Sequence, residues 1–312
     1  DKVTGYYPSQ VANTNLKWET TSQFDAGIDF GFFNNRLTVV IDGYYKKTRD
    51  LLLKVKVPGS SGFSSGLKNI GEVENKGFEL AINATPIEGD FTWNTSLNLT
   101  YNKNKVLDLG DVSFIYPSQP GQDETGIHLG RIIQVGQPLG TFYGYVYDGL
   151  FSTTDDIASS AQPTAKPGDI RYKDLNGDGV INDDDRGYLG KNSTPDKIVG
   201  LALSGNWKNF DFSVLFQAAL GGNTWFTGSA IWPFESKASV SQDVLNNYWS
   251  TNNTAEQNAN VFYPRLSSDH SDNNYIESTY WLKSSDYLRL KNVEIGYRLP
   301  KSVNKFLGVE EL

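Results

Sequence analysis

With 312 residues the chain has room for one large domain or two ordinary ones. Its net charge of −8 argues against the clustered lysine and arginine that phosphate-backbone binding needs, so no nucleic-acid partner is expected. Cysteine and methionine are both absent, which excludes thiol chemistry, disulfides and Cys-ligated metals. No run approaches the ~18 apolar residues of a spanning helix, but a transmembrane barrel needs only alternation over roughly ten residues.

Residues 1–19 read as an irregular approach segment, with Gly5, Pro8 and the polar run Asn13-Thr14-Asn15. TSQFDAGIDFGFF then alternates, with Phe24, Ala26, Ile28, Phe30 and Phe32 on one face and Gln23, Asp25, Gly27, Asp29 and Gly31 on the other. A side-chain period of two predicts a strand. Asn34-Asn35 predicts a short turn, because Asn tolerates positive φ, and RLTVVIDGYYKK returns as a second strand through Leu37, Val39, Ile41 and Tyr45. From Thr48 to Asn75 the pattern breaks into a Gly/Ser-rich loop. The stretch 77–102 makes the clearest hairpin. Phe78, Leu80, Ile82 and Ala84 share a face on its first arm, as do Phe91, Trp93, Thr95, Leu97, Leu99 and Tyr101 on its second. Pro86 to Asp90 supply the turn.

Residues 103–196 form a very long excursion that includes the short aromatic stretch TFYGYVYDGLF. Alternation resumes in IVGLALSGNW and, after the turn Lys208-Asn209, in FDFSVLFQAAL. A further excursion, 221–283, is rich in Asn, Ser, Trp and Tyr. The last alternating stretch is DYLRLKNVEIGYRLP, where the phase shifts between Leu290 and Val293 and so predicts a bulge. Short turns therefore alternate strictly with long loops at 48–75, 103–196 and 221–283. Outer-membrane barrels have that asymmetry, short turns facing the periplasm and long loops facing outward. The same parity keeps residues 141–151 inside the second long loop and leaves seven crossing strands.

The apolar face has two possible neighbours: a second sheet, as in a soluble sandwich, or lipid. Long unbroken apolar series, aromatics near strand ends (Trp93, Tyr101, Trp207, Tyr297) and Asn/Ser/Thr/Asp-rich opposite faces favour lipid. The fold class expected is all-β, an antiparallel transmembrane β-barrel with long extracellular loops. Leu99→Arg is then expected to cost more than Asn98→Arg.

One motif carries sharp chemistry. Residues 174–185, DLNGDGVINDDD, fit a calcium loop of the EF-hand type. Asp174, Asn176 and Asp178 offer side-chain oxygens at positions 1, 3 and 5, and Gly179 permits the sharp turn. Val180 offers a backbone carbonyl, Asn182 another side-chain oxygen, and Asp185 stands at position 12 with a shorter reach than Glu. Hard oxygen donors on a tight loop suit Ca²⁺ better than Mg²⁺, which keeps its waters. The flanks read as extended, so the loop lacks the helix pair. The plainer alternative is a solvated acidic turn.

The segments YYPSQVANTNLKWETTSQFDAGIDFGFFNNRL, IGEVENKGFELAINATPIEGDFTWNTSLNLTYNKNKV, GDIRYKDLNGDGVINDDDRGYLG and YLRLKNVEIGYRLPKSV also carry a resemblance. Spread over the whole chain, they are similar to the barrel of SusC/RagA-like TonB-dependent outer-membrane transporters of Bacteroidetes-type bacteria. The resemblance implies that residues 1–312 are part of a 22-stranded barrel, a C-terminal-side fragment whose plug domain and last strands lie elsewhere. It implies location in the outer membrane, import of glycan fragments (oligosaccharides) or peptides, a SusD-like surface lipoprotein as partner, and energy delivered by TonB. No enzymatic activity is expected. A secreted calcium-binding β-rich module for carbohydrate is the competing reading.

The aromatics of the long loops, Tyr143, Tyr145, Tyr147, Trp225, Trp232, Trp249 and Tyr263, are candidates for stacking on sugar rings or peptides. They are equally candidates for packing the loops or meeting the lipoprotein. His128 and His270 lie far apart with nothing in their spacing to suggest a triad or a metal site.

Overall fold

The computed structural model describes residues 11–63, 65–116, 130–228, 231–234, 239–268 and 273–300, together with Val303, Phe306 and Gly308. A seven-stranded antiparallel sheet forms the wall, its strands adjacent in chain order. They are β1 (Thr20–Phe32), β2 (Leu37–Arg49), β3 (Glu72–Ile87), β4 (Phe91–Asp108), β5 (Lys197–Trp207), β6 (Phe210–Leu220) and β7 (Tyr287–Tyr297). Each strand expected from alternation is present. β2, β3 and β4 run further outward than alternation indicated, so the first two excursions shorten from the expected 48–75 and 103–196 to 50–71 and 109–196. Residues such as Lys105 and Val106 still pair there, because a ladder persists where side chains of mixed polarity meet solvent on one side and loop on the other.

The register turns single-strand faces into rows that cross the whole sheet. Ile28, Ile41, Leu80, Leu99, Val199, Ala218 and Leu288 are successive cross-strand partners. Phe30, Val39, Ile82, Leu97, Leu201, Phe216 and Leu290 form the next row. A one-residue slip would send every one of these side chains to the other face, so a wholly apolar row specifies the register strongly. Lys291 is the extra residue of the expected bulge: Asn292 pairs with Leu215 and Leu290 with Phe216.

No described residue forms a layer over the apolar face. Ile295 is 77% exposed and Leu288 75%, values that belong to side chains meant for a solvent other than water. Aromatics bound the band at both ends. Phe91, Trp93 and Phe212 cluster at the short-turn end, where Phe210 also meets Tyr297 at 4.7 Å between centroids. Phe78 meets Tyr101 at the other end. From Phe91 to Tyr101, at ~3.3 Å per residue and a strand tilt near 40°, the band stands roughly 25 Å tall, the thickness of a barrel's lipid-facing belt. The opposite face is polar and internally bonded. Tyr44 donates to Asn102 Oδ1 (2.9 Å), Ser96 to Asn83 Oδ1 (2.7 Å) and Thr85 to Asn94 Oδ1 (2.9 Å).

The turns follow their backbone chemistry. Phe33, Asn34 and Asn35 all have positive φ, as does Lys208 in the β5–β6 turn. Gly77 is required for space: a Cβ there would overlap the Tyr101 carbonyl oxygen and stand 2.8 Å from the Tyr44 hydroxyl. Gly77→Ala is therefore expected to cost about 1–3 kcal/mol, since a backbone carbonyl cannot move aside. Thermal unfolding of the full-length protein carrying the change, compared with Gly200→Ala, where nothing lies near the added carbon, checks this.

The dry core lies in the excursions. Tyr145, Ile170, Tyr172, Val244, Tyr263, Tyr275, Tyr280 and Trp281 are buried together, drawn from both the second and the third excursion. A smaller cluster of Val73, Val106 and Leu109 packs with Leu51, Leu53, Ile115 and Ile133, joining the first excursion to the second. The first excursion contains a hairpin, Leu52–Lys56 with Ser65–Asn69, that its Gly/Ser-rich tip concealed in the sequence. Residues 141–144 pair with 131–134 and 187–192 rather than with the wall, as the loop parity requires. No described helix is long and apolar enough to cross a membrane, which says nothing of strands.

Candidate functional site

The acidic loop is built between two strand segments, Ile170–Tyr172 and Gly187–Asn192, so its flanks are extended as expected. Gly177 and Gly179, at φ 77° and 82°, let the chain fold back on itself. Asp174 accepts from the Gly177 N–H through Oδ1 (2.6 Å) and from the Gly179 N–H through Oδ2 (2.8 Å). Asn176 Oδ1 accepts from Asp178 N (3.0 Å), and Asp178 Oδ1 from Val180 N (2.9 Å). The exit is a capping box on a single 3₁₀ turn, Asp183–Asp185, in which Asn182 and Asp185 bond each other's backbone.

Asp185 is wholly buried, and its Oδ1 accepts from Leu175 N (2.8 Å) while Oδ2 accepts from Asn182 N (2.9 Å). Burial pushes its carboxyl up, but the N–H groups of Asn182, Leu175 and Asn176 outweigh that and hold it below the usual carboxylate range. As placed, the carboxylates each serve backbone donors, and among the described residues no three Asp, Glu or His side chains converge on one point. The donor set nevertheless fits a hard cation. Its side chains offer only oxygens as ligand atoms, and a carboxylate oxygen that accepts one N–H keeps a second lone pair with which a cation could be met.

The loop is wired into the core. Tyr145 donates to Asp183 Oδ1 (3.3 Å), and burial together with the Asp183 charge pushes the Tyr145 hydroxyl up to about 12. It stays a neutral donor at any physiological pH. Arg186 lies over the rings of Tyr143 and Tyr145 and pairs with Glu277 at 3.7 Å. Beside it, Asp169 joins the two excursions. Its Oδ1 accepts from Asn274 Nδ2 (2.7 Å) and is paired with Arg265, while Asn274 Oδ1 accepts from Ile170 N (2.7 Å). Trp281 donates to the Asn274 carbonyl (2.8 Å).

The seven aromatics singled out as candidate contacts fall in different places, Tyr263 among them in the dry core. Tyr145 and Trp249 are buried, the latter against Gly168, whose φ of +88° holds the chain flat beneath the indole. Trp232 packs on Tyr275 and Trp281, and Trp225 meets Phe142 edge-on at 5.0 Å. Tyr143 is half-buried beneath Arg186, with burial and Tyr116 pushing its hydroxyl up to about 12. Tyr147 packs at a tilt against Tyr280 (4.9 Å between centroids) and, with Trp249, borders a cleft of about 400 Å³ lined also by Phe151, Asn253 and Asn258. Asp169, Asn274 and Trp281 were not singled out by sequence. Distant partners, about a hundred residues away, give Asp169 and Asn274 their role in joining the excursions. His128 and His270 lie outside the described residues.

Residues 3–310 match the family described as TonB dependent receptor-like, beta-barrel. The chain belongs to the TonB-dependent receptor β-barrel family. It is 38% identical to TonB-dependent receptor P3 of Formosa agariphila over 98% of its length, which is 29% of that protein. It is 35% identical to TonB-dependent receptor SusC of Bacteroides thetaiotaomicron, covering 91% of this chain and 26% of SusC. Its fold matches the RagAB peptide transporter (TM-score 0.71, 26% identity, 94% of this chain and 30% of that one). The same importer in its open-open state gives a TM-score of 0.73 at 25% identity. The chain thus spans about three-tenths of the length of the proteins it matches. Membership places the wall in the outer membrane, with the excursions on the outer side.

Proposed function

We propose that the chain supplies part of the wall and the extracellular cap of an outer-membrane importer, which takes up oligosaccharides or peptides with energy transmitted by TonB. A SusD-like surface lipoprotein is its partner, seated over the excursions. The observation that carries this reading is the sheet with two solvents: unbroken apolar rows on one face and a hydrogen-bonded polar lining on the other. That is a wall around a wet passage, and family membership gives the passage a transport role rather than a catalytic one. Disrupting the parent gene is expected to abolish accumulation of fluorescently labelled oligosaccharides or peptides, and a protonophore is expected to do the same in intact cells. Undiminished accumulation of both solute classes in the disrupted strain would remove the reading.

The acidic loop belongs to this proposal as a structural Ca²⁺ site, with Asp174, Asn176, Asp178, the Val180 carbonyl, Asn182 and Asp185 as donors. The ion would offset part of the entropy of ordering the longest excursion and stiffen the Asp183–Arg186 turn against Tyr145 and Glu277. Asp174→Ala combined with Asp178→Ala is expected to open residues 165–195 to protease while barrel assembly continues. Calcium chelation of the unmodified receptor is expected to do likewise. Identical digestion of that segment with and without chelator would count against a bound ion.

A further inference from the structure

Above the apolar band, on the same outward face, the register assembles cations. The row beyond Phe78 and Tyr101 runs Phe24, Tyr45, Lys76, Lys103. The next runs Ser22, Lys47, Glu74, Lys105, and Arg49 and Lys197 flank these positions, the latter directly opposite Tyr101. Lys76 and Lys103 are direct cross-strand partners, an arrangement that repels. The carboxylates nearby do not quench it. Glu72 is taken by Lys47 and Arg49. Glu74, although opposite Lys105, turns to Lys76 (3.6 Å) and accepts from the Tyr45 hydroxyl (3.3 Å). Lys197 leans on Asp196 and on the Tyr101 ring. Lys103 and Lys105 are exposed and have no carboxylate partner among the described residues. This cationic patch stands on a chain whose net charge is −8.

Its level is informative. Tyr101 marks the height at which amphipathic rings meet headgroups; Lys76 and Lys103 stand one row beyond it, level with Tyr45, and Lys105 two rows beyond, where long stems reach lipid phosphates. We propose that Lys76, Lys103 and Lys105, with Arg49 at the flank, form a binding surface for the phosphate-bearing headgroup of a lipid in the outer leaflet. The bound phosphate neutralises the Lys76–Lys103 repulsion and anchors this part of the wall against its annular lipid. The inference concerns the outward face and is independent of which solute the passage carries.

The test uses the full-length receptor, purified in detergent and examined by native mass spectrometry. The probes are lipid A with its phosphates intact, the same lipid after phosphatase treatment, and inorganic phosphate. The intact lipid is expected to be retained about tenfold more tightly than the dephosphorylated one, and Lys76→Gln/Lys103→Gln/Lys105→Gln to erase that difference. Lys46→Gln, at the same height on the inward face, is expected to leave it unchanged. Glu74→Gln removes a competing carboxylate and is expected to tighten retention several-fold, giving a gain that misfolding cannot mimic. Heat-modifiable gel migration confirms a closed barrel in each variant. Equal retention of the two lipids, an unaffected triple variant, or displacement by millimolar inorganic phosphate overturns the proposal.

Discussion

Leu97→Arg in the full-length receptor is expected to destabilise the barrel by about 2–4 kcal/mol, and Asn98→Arg beside it by about 0.5 kcal/mol or less. Leu97 lies in the row with Phe30, Val39, Ile82, Leu201, Phe216 and Leu290, near the middle of the apolar band, where an arginine has no water and no partner. Asn98 points to the polar face between Ala81 and Gly200, where a long side chain has open space. Urea unfolding of the two variants in liposomes, followed by tryptophan fluorescence, measures the difference. Arg at Leu99, one row nearer the headgroups, is expected to fall below the Leu97 value because cost declines with distance from the midplane. Equal costs at Leu97 and Asn98 would mean that the two faces are wrongly assigned.

The second large effect is expected at Asp169. Asp169→Ala removes the carboxylate facing Arg265 and the acceptor of Asn274, both in largely buried surroundings, and about 3–5 kcal/mol of local stability is expected to go with it. The loss should be confined to the cap. Hydrogen exchange in segments 160–175 and 262–282 is expected to accelerate strongly, while exchange in β3, β4 and β5 stays slow. Asp169→Asn keeps the shape and one acceptor oxygen and is expected to fall between the two. If exchange rises uniformly along the wall as well, the cap and wall are one cooperative unit and the separation drawn above fails.

These two sites also mark what was legible in the sequence. Leu97 and Asn98 were assigned to opposite faces by a local rule, the period of two; the register that sets seven such faces into matching apolar rows emerged only with the structure. The bulge at Lys291 was visible as a lost beat in that period. The acidic loop was visible because its chemistry is carried by consecutive residues. The cap was not. Asn274 bonds Ile170 across 104 residues and Asp169 bonds Asn274 across 105, so nothing in the local pattern announces the contact that joins the two excursions. The aromatics illustrate the same limit. Tyr145 and Tyr147 are two residues apart, yet one is buried against Tyr172 and the other borders a cleft, because neighbouring segments rather than local sequence decide what covers each ring.

The placement of the dry core has a consequence for how such a protein changes over time. The cluster around Trp281 is assembled from two excursions that meet each other, while the wall is held by its ladder and by lipid. Substitutions within the cap are judged by aqueous packing and those within the wall by the bilayer, so the two parts drift under separate constraints. Exchange of excursions between relatives at β4–β5 and β6–β7 is therefore expected to succeed only when both loops of the interlocking pair travel together. Recombination that moves one without the other should strand half of the Asp169–Asn274 contact, making the pair of loops the unit of inheritance.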